Sequence, residues 1–186
     1  MTTTLTVVRH GETTWSANGK HTGLTDLPLT DAGRAEAAEL TARLRNTSFA
    51  LVLTSPLGRA RDTATLAGFP DAEAEPDLVE WDYGDVEGRT TVDMQVEWPG
   101  WGLWRDGPPG GETILDVAAR ATRVVARVRA VDGDVLVFAH GHFLRVLAAV
   151  WVGVDPGLGA HLILDPATLS ILSEDRGTPT INVWNG

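Results

Sequence analysis

Cysteine is absent from this 186-residue chain, which excludes disulfides, cysteine-ligated zinc sites and iron–sulfur clusters. Basic side chains are also scarce: Lys20 is the only lysine, and the formal net charge is −10. The arginines are scattered and form no basic run, so nucleic acid and membrane surfaces are not expected as partners. If the ligand is anionic, the positive field that binds it must come from a few arginines gathered in one cleft.

Long apolar runs are absent as well. The longest, FLRVLAAVWVGV at 143–154, is shorter than the roughly 20 residues that a membrane-spanning helix needs, and it contains Arg145. The first residues, MTTTLTVVRHGE, do not have a basic region followed by a long apolar one, so no secretory signal is expected. The prediction is a soluble, cytoplasmic protein that folds as one domain over residues 1–186.

Apolar strands alternate with helices along the chain, which predicts an α/β domain with a mainly parallel sheet. The predicted strands are LTVVRH (5–10), FALVLTS (49–55), DVLVFAH (134–140) and, near the end, HLILD (161–165), LSILSE (169–174) and TINVW (180–184). The predicted helices cover 30–46, 56–68, 112–131 and 141–153. The stretch 72–81 is typical of a short strand that runs into a loop.

Local signals mark the ends of two of these helices. Thr30 is placed to cap the first, and the second has Pro56 in its first turn and Gly68 at its end. The helix over 112–131 shows the clearest amphipathic pattern. Its predicted buried face consists of Leu115, Ala118, Ala121, Val124, Val125, Val128 and Val131.

Residues 81–111 interrupt this alternation. Four tryptophans lie there among prolines and glycines, at positions 81, 98, 101 and 104, which predicts a long irregular excursion near the active site. Such a segment either borders a binding pocket or packs its indoles into a satellite core, and both can hold at once.

Three predicted strand-to-helix junctions carry polar residues of one kind. They are Arg9-His10-Gly11-Glu12, then Ser55-Pro56 with Arg59 and Arg61, and finally His140-Gly141-His142 with Arg145. Because parallel strands end at the same sheet edge, the three junctions should meet there. Arginine side chains and helix N-termini both favour an anion, and the arginine fork suits a phosphate. The sequence therefore predicts a phosphate site at this edge.

Two histidines beside a bound phosphate indicate catalysis as well as binding. A neutral imidazole can attack phosphorus and hold the phosphoryl group covalently, while arginines neutralise the oxygens of the transition state. The leaving oxygen needs a proton, and LVEWDYGDVEG (78–88) offers Glu80 in the driest setting, with Asp82, Asp85 and Glu87 as weaker candidates. Desolvation can hold such a carboxyl group protonated.

Each of these residues also has a purely structural interpretation. A single histidine at a strand end is often a hydrogen-bonded structural residue, and Arg59 or Arg61 alone would usually be a surface charge. Arg145, on a very apolar helix, either forms a buried pair or faces the ligand. His-Gly-His is weak support for a metal, because no further ligands complete a coordination sphere. His161 is interpreted as structural and His21 as a residue at the rim of the pocket.

Five blocks of sequence occur in the order typical of one enzyme family. RHGE, SPLGRARDTA, LVEWDYGDVEG, GGET and AHGHFLRV together resemble the histidine phosphatase superfamily, also called phosphoglycerate-mutase-like, over nearly the whole chain. The resemblance implies a three-layer α/β/α sandwich, no metal and no cofactor. It makes His10 the phosphorylated nucleophile and Glu80 the proton donor, with Arg9, Arg59 and His140 completing the phosphate pocket.

A longer match, TTWSANGKHTGLTDLPLTDAG with EWDYGDVEG and WRDGPPGGET, is similar to a narrower branch. That branch includes sedoheptulose-1,7-bisphosphatase-like enzymes and bacterial acid phosphatases, and by this resemblance Arg145 contacts a second phosphate or the sugar. Mutase-type members usually carry Asn at the position of Ser16, so that polar contact is altered here. The substrate-binding residues expected on this basis are Ser16, His21, Thr22, Gly23, Ser55, Gly141 and Arg145.

Three functions follow in order of preference. The first is a metal-independent phosphatase that acts on small phosphorylated metabolites through a phosphohistidine. The second is a phosphoglycerate mutase with the same intermediate, which needs a tightly fitted lid to exclude water, and the chain is short for that. The third, a non-catalytic phosphate-binding module, is disfavoured because the predicted nucleophile and acid are both present. The tryptophan content permits a homodimer without requiring one.

Overall fold

The structure is a computed structural model that describes residues 3–186. One mixed sheet runs in the order β3-β2-β4-β1-β5-β6. Its strands are β1 (Leu5–Arg9), β2 (Leu51–Thr54), β3 (Glu73–Ala74), β4 (Val135–Ala139), β5 (Leu169–Asp175) and β6 (Thr178–Val183). The first four strands in this order pair in parallel, whereas β5 and β6 are antiparallel to their neighbours. The predicted mainly parallel sheet is confirmed.

Helices cover both sides of this sheet. The α-helices are α1 (Thr14–Ala17), α2 (Asp31–Leu44), α3 (Gly58–Leu66), α4 (Thr91–Glu97), α5 (Leu103–Asp106), α6 (Ile114–Arg129) and α7 (Gly141–Trp151). Thr30 caps α2 as predicted, with its Oγ1 accepting the N–H of Gly33 at 3.0 Å. Among residues 3–186, no helix combines the length and the apolar character that a bilayer span requires.

The three-layer α/β/α sandwich follows from the alternation of side chains along the central strands. Val7 and Val137 face one side of the sheet and pack with residues of α6 and α7. Val8 and Phe138 face the other side and pack with residues of α2 and α3. Because both faces are covered, the central strands read as continuous apolar runs rather than as alternating ones.

The predicted strand at 161–165 is wrong. Residues 156–161 form a 3₁₀ helix and residues 162–165 have no regular structure, although Leu164 is buried and Ile163 is exposed as in a strand. Side chains bind the backbone of residues 163–165 in place of a neighbouring strand: Trp184 Nε1 donates to the carbonyl of Ile163, and the Asp165 N–H donates to Asn185 Oδ1. Arg145 donates to the carbonyls of Gly159 and Ala160, and Arg9 donates to that of Leu164.

Two smaller predictions about helices are also wrong. Leu115 was expected on the buried face of α6 but is 70% exposed, because the buried stripe runs through Val117, Ala121 and Val124 on the opposite side. Pro56 precedes the cap of α3, which is Leu57, instead of lying in the first turn. A loop residue supplies the missing cap: the Asp26 carboxylate accepts the N–H of Gly58 at 2.6 Å. The predicted end of this helix at Gly68 is confirmed by its left-handed backbone, with φ +97°.

The excursion at 81–111 is more ordered than the sequence indicated, since it contains α4, α5 and a 3₁₀ turn at 84–86. Its indoles join the main core instead of a separate one: Trp81 and Trp101 are fully buried there, while Trp98 is 49% exposed. The excursion folds back tightly at two glycines. A Cβ on Gly84 would lie 2.4 Å from the backbone at residues 109–111, and one on Gly111 would lie 2.2 Å from the carbonyl oxygen of Asp82.

Close backbone contact also fixes the loop that leaves β1. A Cβ on Gly11 would lie 2.4 Å from the carbonyl oxygen of Gly33, and one on Gly33 would lie 2.3 Å from that of Glu12. The N-terminus of α2 therefore rests directly on the residues that follow His10. Both contacts are to backbone, which cannot move aside as a side-chain tip can.

We predict that Gly33→Ala lowers the free energy of unfolding by about 1–3 kcal/mol, because the added methyl group forces the loop after β1 away from α2. Gly102→Ala is the matched control, since a Cβ at Gly102 would have nothing within 4 Å. Its cost should stay below about 1 kcal/mol, the usual price of losing a glycine helix cap. Urea unfolding followed by circular dichroism measures both, and equal effects would contradict the steric explanation.

Candidate active site

The carboxyl ends of three parallel strands bring the predicted residues together. Since β1 pairs with β4 and β4 pairs with β2, the residues after these strands share one sheet edge. The rings of His10 and His140 have centroids 5.1 Å apart. His140 Nε2 and Ser55 Oγ lie 2.8 Å apart. The prediction that these three junctions meet at one edge is confirmed.

His10 is held in one tautomer. Its Nδ1 lies 2.8 Å from the carbonyl oxygen of Gly11, and because a carbonyl only accepts, Nδ1 carries the proton. The Nε2 atom is then the free base of a neutral imidazole. Burial lowers the pKa of His10 well below its ordinary value of 6.5, and the positive charges of Arg59 and Arg9 lower it further. The ring is therefore neutral and nucleophilic at neutral pH.

Arg59 is fully buried and is held by backbone carbonyls. Nη1 donates to Thr25 at 2.9 Å, and Nη2 donates to Gly23 at 2.7 Å and to Thr22 at 3.2 Å. The carboxylate of Asp26 lies 3.6 Å away and is 43% exposed. The loop at 22–26 is thus wrapped around one guanidinium group, and the predicted site residues Thr22 and Gly23 contact Arg59 through their backbone carbonyls.

Three buried side-chain nitrogens have no hydrogen-bond partner anywhere in residues 3–186. They are Nε of Arg9, Nε of Arg59 and Nδ1 of His140. Unpartnered buried polar atoms are rare in folded proteins, because each one costs about 1–3 kcal/mol. All three belong to residues that the sequence placed around a phosphate, and both arginine atoms are N–H donors.

Glu80 is anchored at the N-terminus of α7. Its Oε1 accepts the N–H of Phe143 at 2.8 Å and that of Trp81 at 2.9 Å, and its Oε2 accepts the N–H of His142 at 3.1 Å. The side chain is only 4% exposed, yet it lines the cavity described next. Backbone donors therefore hold this carboxyl group in one orientation toward the cavity.

The site opens into a cavity of about 280 Å³. Eight of the predicted residues line it: Arg9, His10, Ser16, His21, Thr22, Glu80, Gly141 and Arg145. Four do not line it and are buried: Gly23, Ser55, Arg59 and His140. Six further residues in the wall were not predicted to bind or react with the ligand, although His142 was named in the third junction: Gly19, Lys20, Tyr83, Thr91, His142 and Leu164.

The most notable of the missed residues are Tyr83 and His142. The Tyr83 hydroxyl lies 2.6 Å from His142 Nδ1. Burial raises the pKa of Tyr83 well above its ordinary value and lowers that of His142 well below 6.5, so both groups are neutral. The sequence did carry a signal, since His142 stands two residues after His140 and Tyr83 is the only tyrosine, three residues after Glu80. The excursion at 81–111 thus borders the cavity as well as joining the core.

Arg145 faces the cavity from α7. Its Nε donates to Gly159 at 2.7 Å, its Nη2 donates to Ala160 at 3.1 Å, and its guanidinium carbon lies 4.7 Å from the centroid of the Trp104 ring. Within residues 3–186 no carboxylate pairs with it. Of the two interpretations left open by the sequence, the buried ion pair is wrong for the described residues, and the side chain lines the cavity while two carbonyls and an indole hold it.

Four buried histidines predict a loss of stability on acidification. Burial lowers the pKa of His21 to about 4 and lowers those of His10, His140 and His142 well below 6.5. Below pH 6.5 the unfolded chain binds protons that the folded chain does not, so stability falls as the pH falls from about 6.5 to 5. Each histidine contributes up to about 1.4 kcal/mol per pH unit.

Urea unfolding in phosphate-free buffer between pH 7.5 and 5 measures this slope. His21→Gln is the matched variant, and it should make the slope shallower by about one histidine's share, about 1.4 kcal/mol per pH unit. Stability that stays constant or rises over the same interval would show that these histidines take up protons in the folded state.

Comparison with known proteins gives consistent matches to one family. The model of the histidine phosphatase superfamily (branch 1) matches residues 5–186. An acid phosphatase of Mycobacterium tuberculosis is 38% identical over 184 residues, covering 96% of this chain and 90% of that protein. The sedoheptulose 1,7-bisphosphatase of Saccharomyces cerevisiae is 37% identical over 182 residues, covering 80% of this chain and 67% of that protein.

Mutases and solved structures match as well. A 2,3-bisphosphoglycerate-dependent phosphoglycerate mutase of Gloeobacter violaceus is 36% identical over 160 residues, covering 77% of this chain and 73% of that protein. The solved structure of a Mycobacterium tuberculosis open reading frame product superposes with a TM-score of 0.92 at 36% identity, covering 98% of this chain and 97% of that one. The chain therefore belongs to the histidine phosphatase superfamily.

Proposed function

We propose that this protein is a metal-independent phosphatase that hydrolyses small phosphorylated metabolites, sugar mono- or bisphosphates, through a phosphohistidine at His10. One observation carries the proposal. The three buried nitrogens without partners belong to Arg9, Arg59 and His140; the His140 ring lies beside that of His10, and the charges of both arginines act on His10, whose Nε2 is free. A phosphoryl group supplies the acceptor oxygens that buried guanidinium groups require.

In the first step His10 Nε2 attacks phosphorus, and the bond between phosphorus and the ester oxygen breaks. Arg9, Arg59 and His140 hold the phosphoryl oxygens and offset their charge as it develops. Glu80, held at the edge of the cavity by three N–H groups, gives its proton to the leaving oxygen. The products of this step are a free alcohol, an ionised Glu80 and a phosphorylated His10.

In the second step water attacks the phosphohistidine. The Glu80 carboxylate takes a proton from this water, inorganic phosphate leaves, and His10 returns to its neutral form with Nε2 free. Positive charge for both steps comes from arginine side chains, so the proposal requires no metal. Within residues 3–186 no group of three or more potential metal-ligating side chains converges.

A phosphoglycerate mutase is the second candidate, and it is supported by the mutases among the relatives. It would use the same phosphohistidine and return the phosphoryl group to the substrate before water arrives. Ser16 lines the cavity at the position where mutase-type members usually carry Asn, which favours hydrolysis. A non-catalytic phosphate-binding module stays disfavoured, because the proposed nucleophile and acid both line the cavity.

We also propose a cytoplasmic location. A homodimer is compatible with the structure, because the side chain of Trp98 is partly exposed.

The decisive experiment is phosphate release by EDTA-treated protein over a panel of sugar monophosphates, sugar bisphosphates and phosphoglycerates. We expect release from one or more sugar phosphates, loss of release by at least about 10³-fold in His10→Ala, and acid-labile phosphate bound to wild-type protein during turnover. His161→Ala is the matched control, since His161 is exposed and does not line the cavity.

Two outcomes would contradict the proposal. Conversion of 3- to 2-phosphoglycerate after priming with bisphosphoglycerate, with little phosphate release, would establish the mutase. Phosphate release that persists in His10→Ala would show that the reaction does not pass through a phosphohistidine at His10.

Arg145 is proposed to bind a second anionic group of the substrate. Its guanidinium faces the same cavity as His10 and Glu80 and has no carboxylate partner in the described chain. A charge-assisted hydrogen bond of this kind contributes about 1.5–3 kcal/mol. A bisphosphate should therefore gain more binding free energy from Arg145 than a monophosphate does.

Arg145→Ala should raise KM for a sugar bisphosphate by about 10- to 100-fold and raise KM for the matching monophosphate by less than about threefold. Arg105→Ala is the control, because Arg105 is exposed on the neighbouring helix and pairs with Asp106. Steady-state kinetics on the substrate pair decides the point. An equal rise for both substrates would show that Arg145 does not distinguish a second anionic group.

A further inference from the structure

The segment at 77–82, here called the acid segment, carries Glu80 with little regular structure of its own. Only its first residues belong to a 3₁₀ turn, at Pro76–Leu78. We infer that a single ion pair outside the cavity, Arg120 with Glu112, is a positioning device that sets where Glu80 delivers its proton. The inference rests on the proposed role of Glu80 as the acid.

Arg120, on α6, binds the backbone of the acid segment at three points. Its Nη1 donates to the carbonyls of Asp77 at 2.7 Å and Val79 at 3.0 Å, and its Nη2 lies 3.4 Å from the carbonyl of Glu80. The guanidinium thus follows the chain up to the residue that carries the acid. A planar fork with five donors is suited to this task, whereas a lysine has one compact charge.

Glu112 completes the device from the other side of Glu80. It binds Arg120 with both oxygens, Oε1 to Nε and Oε2 to Nη2, each at 2.8 Å. The same Oε2 accepts the N–H of Asp82 at 3.0 Å. The backbone of Glu112 adds two further bonds: its carbonyl accepts from Trp81 Nε1 at 2.8 Å, and its N–H donates to Asp82 at 3.0 Å.

The ion pair is largely shielded from water and contacts one of the residues that hold the carboxyl group of Glu80. The side chains of Arg120 and Glu112 are 11% and 24% exposed. The guanidinium carbon of Arg120 lies 5.1 Å from the centroid of the Phe143 ring, and the N–H of Phe143 donates to Glu80 Oε1. Helix α6 therefore fixes the backbone of Glu80, while α7 fixes its carboxyl group.

Precise placement matters because a general acid must stay within hydrogen-bond distance of the leaving oxygen. A displacement of about 1 Å can cost about 100-fold in rate. If the pair only stabilised the fold, its loss would affect every substrate alike. If it positions Glu80, the loss depends on how much the leaving group needs a proton: an alkoxide needs one, and 4-nitrophenolate does not.

The test compares kcat/KM for glycerol 1-phosphate and for 4-nitrophenyl phosphate. This parameter covers the reaction only as far as phosphoryl transfer to His10, so the later use of Glu80 as a base does not enter. Arg120→Lys keeps the charge and loses the fork. Glu112→Gln keeps the shape and loses the charge, and it serves if Arg120→Lys does not fold. Thermal unfolding and calorimetric binding of inorganic phosphate verify the fold and the phosphate pocket.

We expect each variant to lose about 10- to 100-fold more kcat/KM on the alkyl ester than on the aryl ester. Arg123→Met is the matched control. Arg123 lies on the same helix and pairs with the side chain of Asp77 in the same segment, but it is 59% exposed and does not contact the backbone around Glu80. Its ratio of the two kcat/KM values should match wild type.

Equal losses on the two esters, or no loss, in a folded Arg120→Lys or Glu112→Gln protein would overturn the positioning role. Glu80→Gln separates this result from failure of the proposed function. A selective loss on the alkyl ester in Glu80→Gln supports its role as the acid. Only the positioning role of the Arg120–Glu112 pair is then overturned. An equal loss on both esters in Glu80→Gln would overturn the acid assignment and the inference with it.

Discussion

Parallel pairing of β1 with β4, and of β4 with β2, is the constraint on which the site depends. It places His10, His140 and Ser55 at one edge, although more than 40 residues separate each from the next along the chain. Burial of both sheet faces holds the strands in this register, because a slip of one residue would turn apolar side chains to the wrong layer. Close contact between Gly11 and Gly33 then fixes the first loop against α2.

Burying several arginine charges close together raises the free energy of the folded state, and hydrogen bonds to backbone carbonyls offset part of this effect. Buried cations are unfavourable unless they are hydrogen-bonded, and backbone carbonyl groups accept from the terminal nitrogens of Arg59 and from the guanidinium groups of Arg120 and Arg145. These carbonyls are available because the loop at 22–26, the acid segment and residues 159–160 do not belong to the sheet. These segments outside the sheet are therefore necessary to the site. Burial lowers the pKa values of His10 and His140, and the charge of Arg59 lowers them further, so the proposed nucleophile is neutral.

Glu80 shows how two helices share one task. Backbone N–H groups at the start of α7 orient its carboxyl group, and α6 holds its main chain through Arg120. The excursion at 81–111 begins directly after it, so the same stretch contributes Tyr83 to the cavity wall and Trp81 and Trp101 to the core. Packing and binding are joined in this segment, because its indoles anchor the loop that borders the ligand space.

The sequence by itself determined the alternating α/β order, the buried strands, and the meeting of Arg9, His10 and His140 at one edge. These features depend on local periodicity and on the rule that parallel strands end together. Only the tertiary structure decided that residues 161–165 are not a strand, that Leu115 is exposed, and that Tyr83 and His142 pair in the cavity wall. Each of these depends on contacts between segments that are distant in the chain. Side chains from elsewhere bind the backbone of a predicted strand, and the elements packed against a helix decide which of its faces is buried. Periodicity carries no information about such contacts.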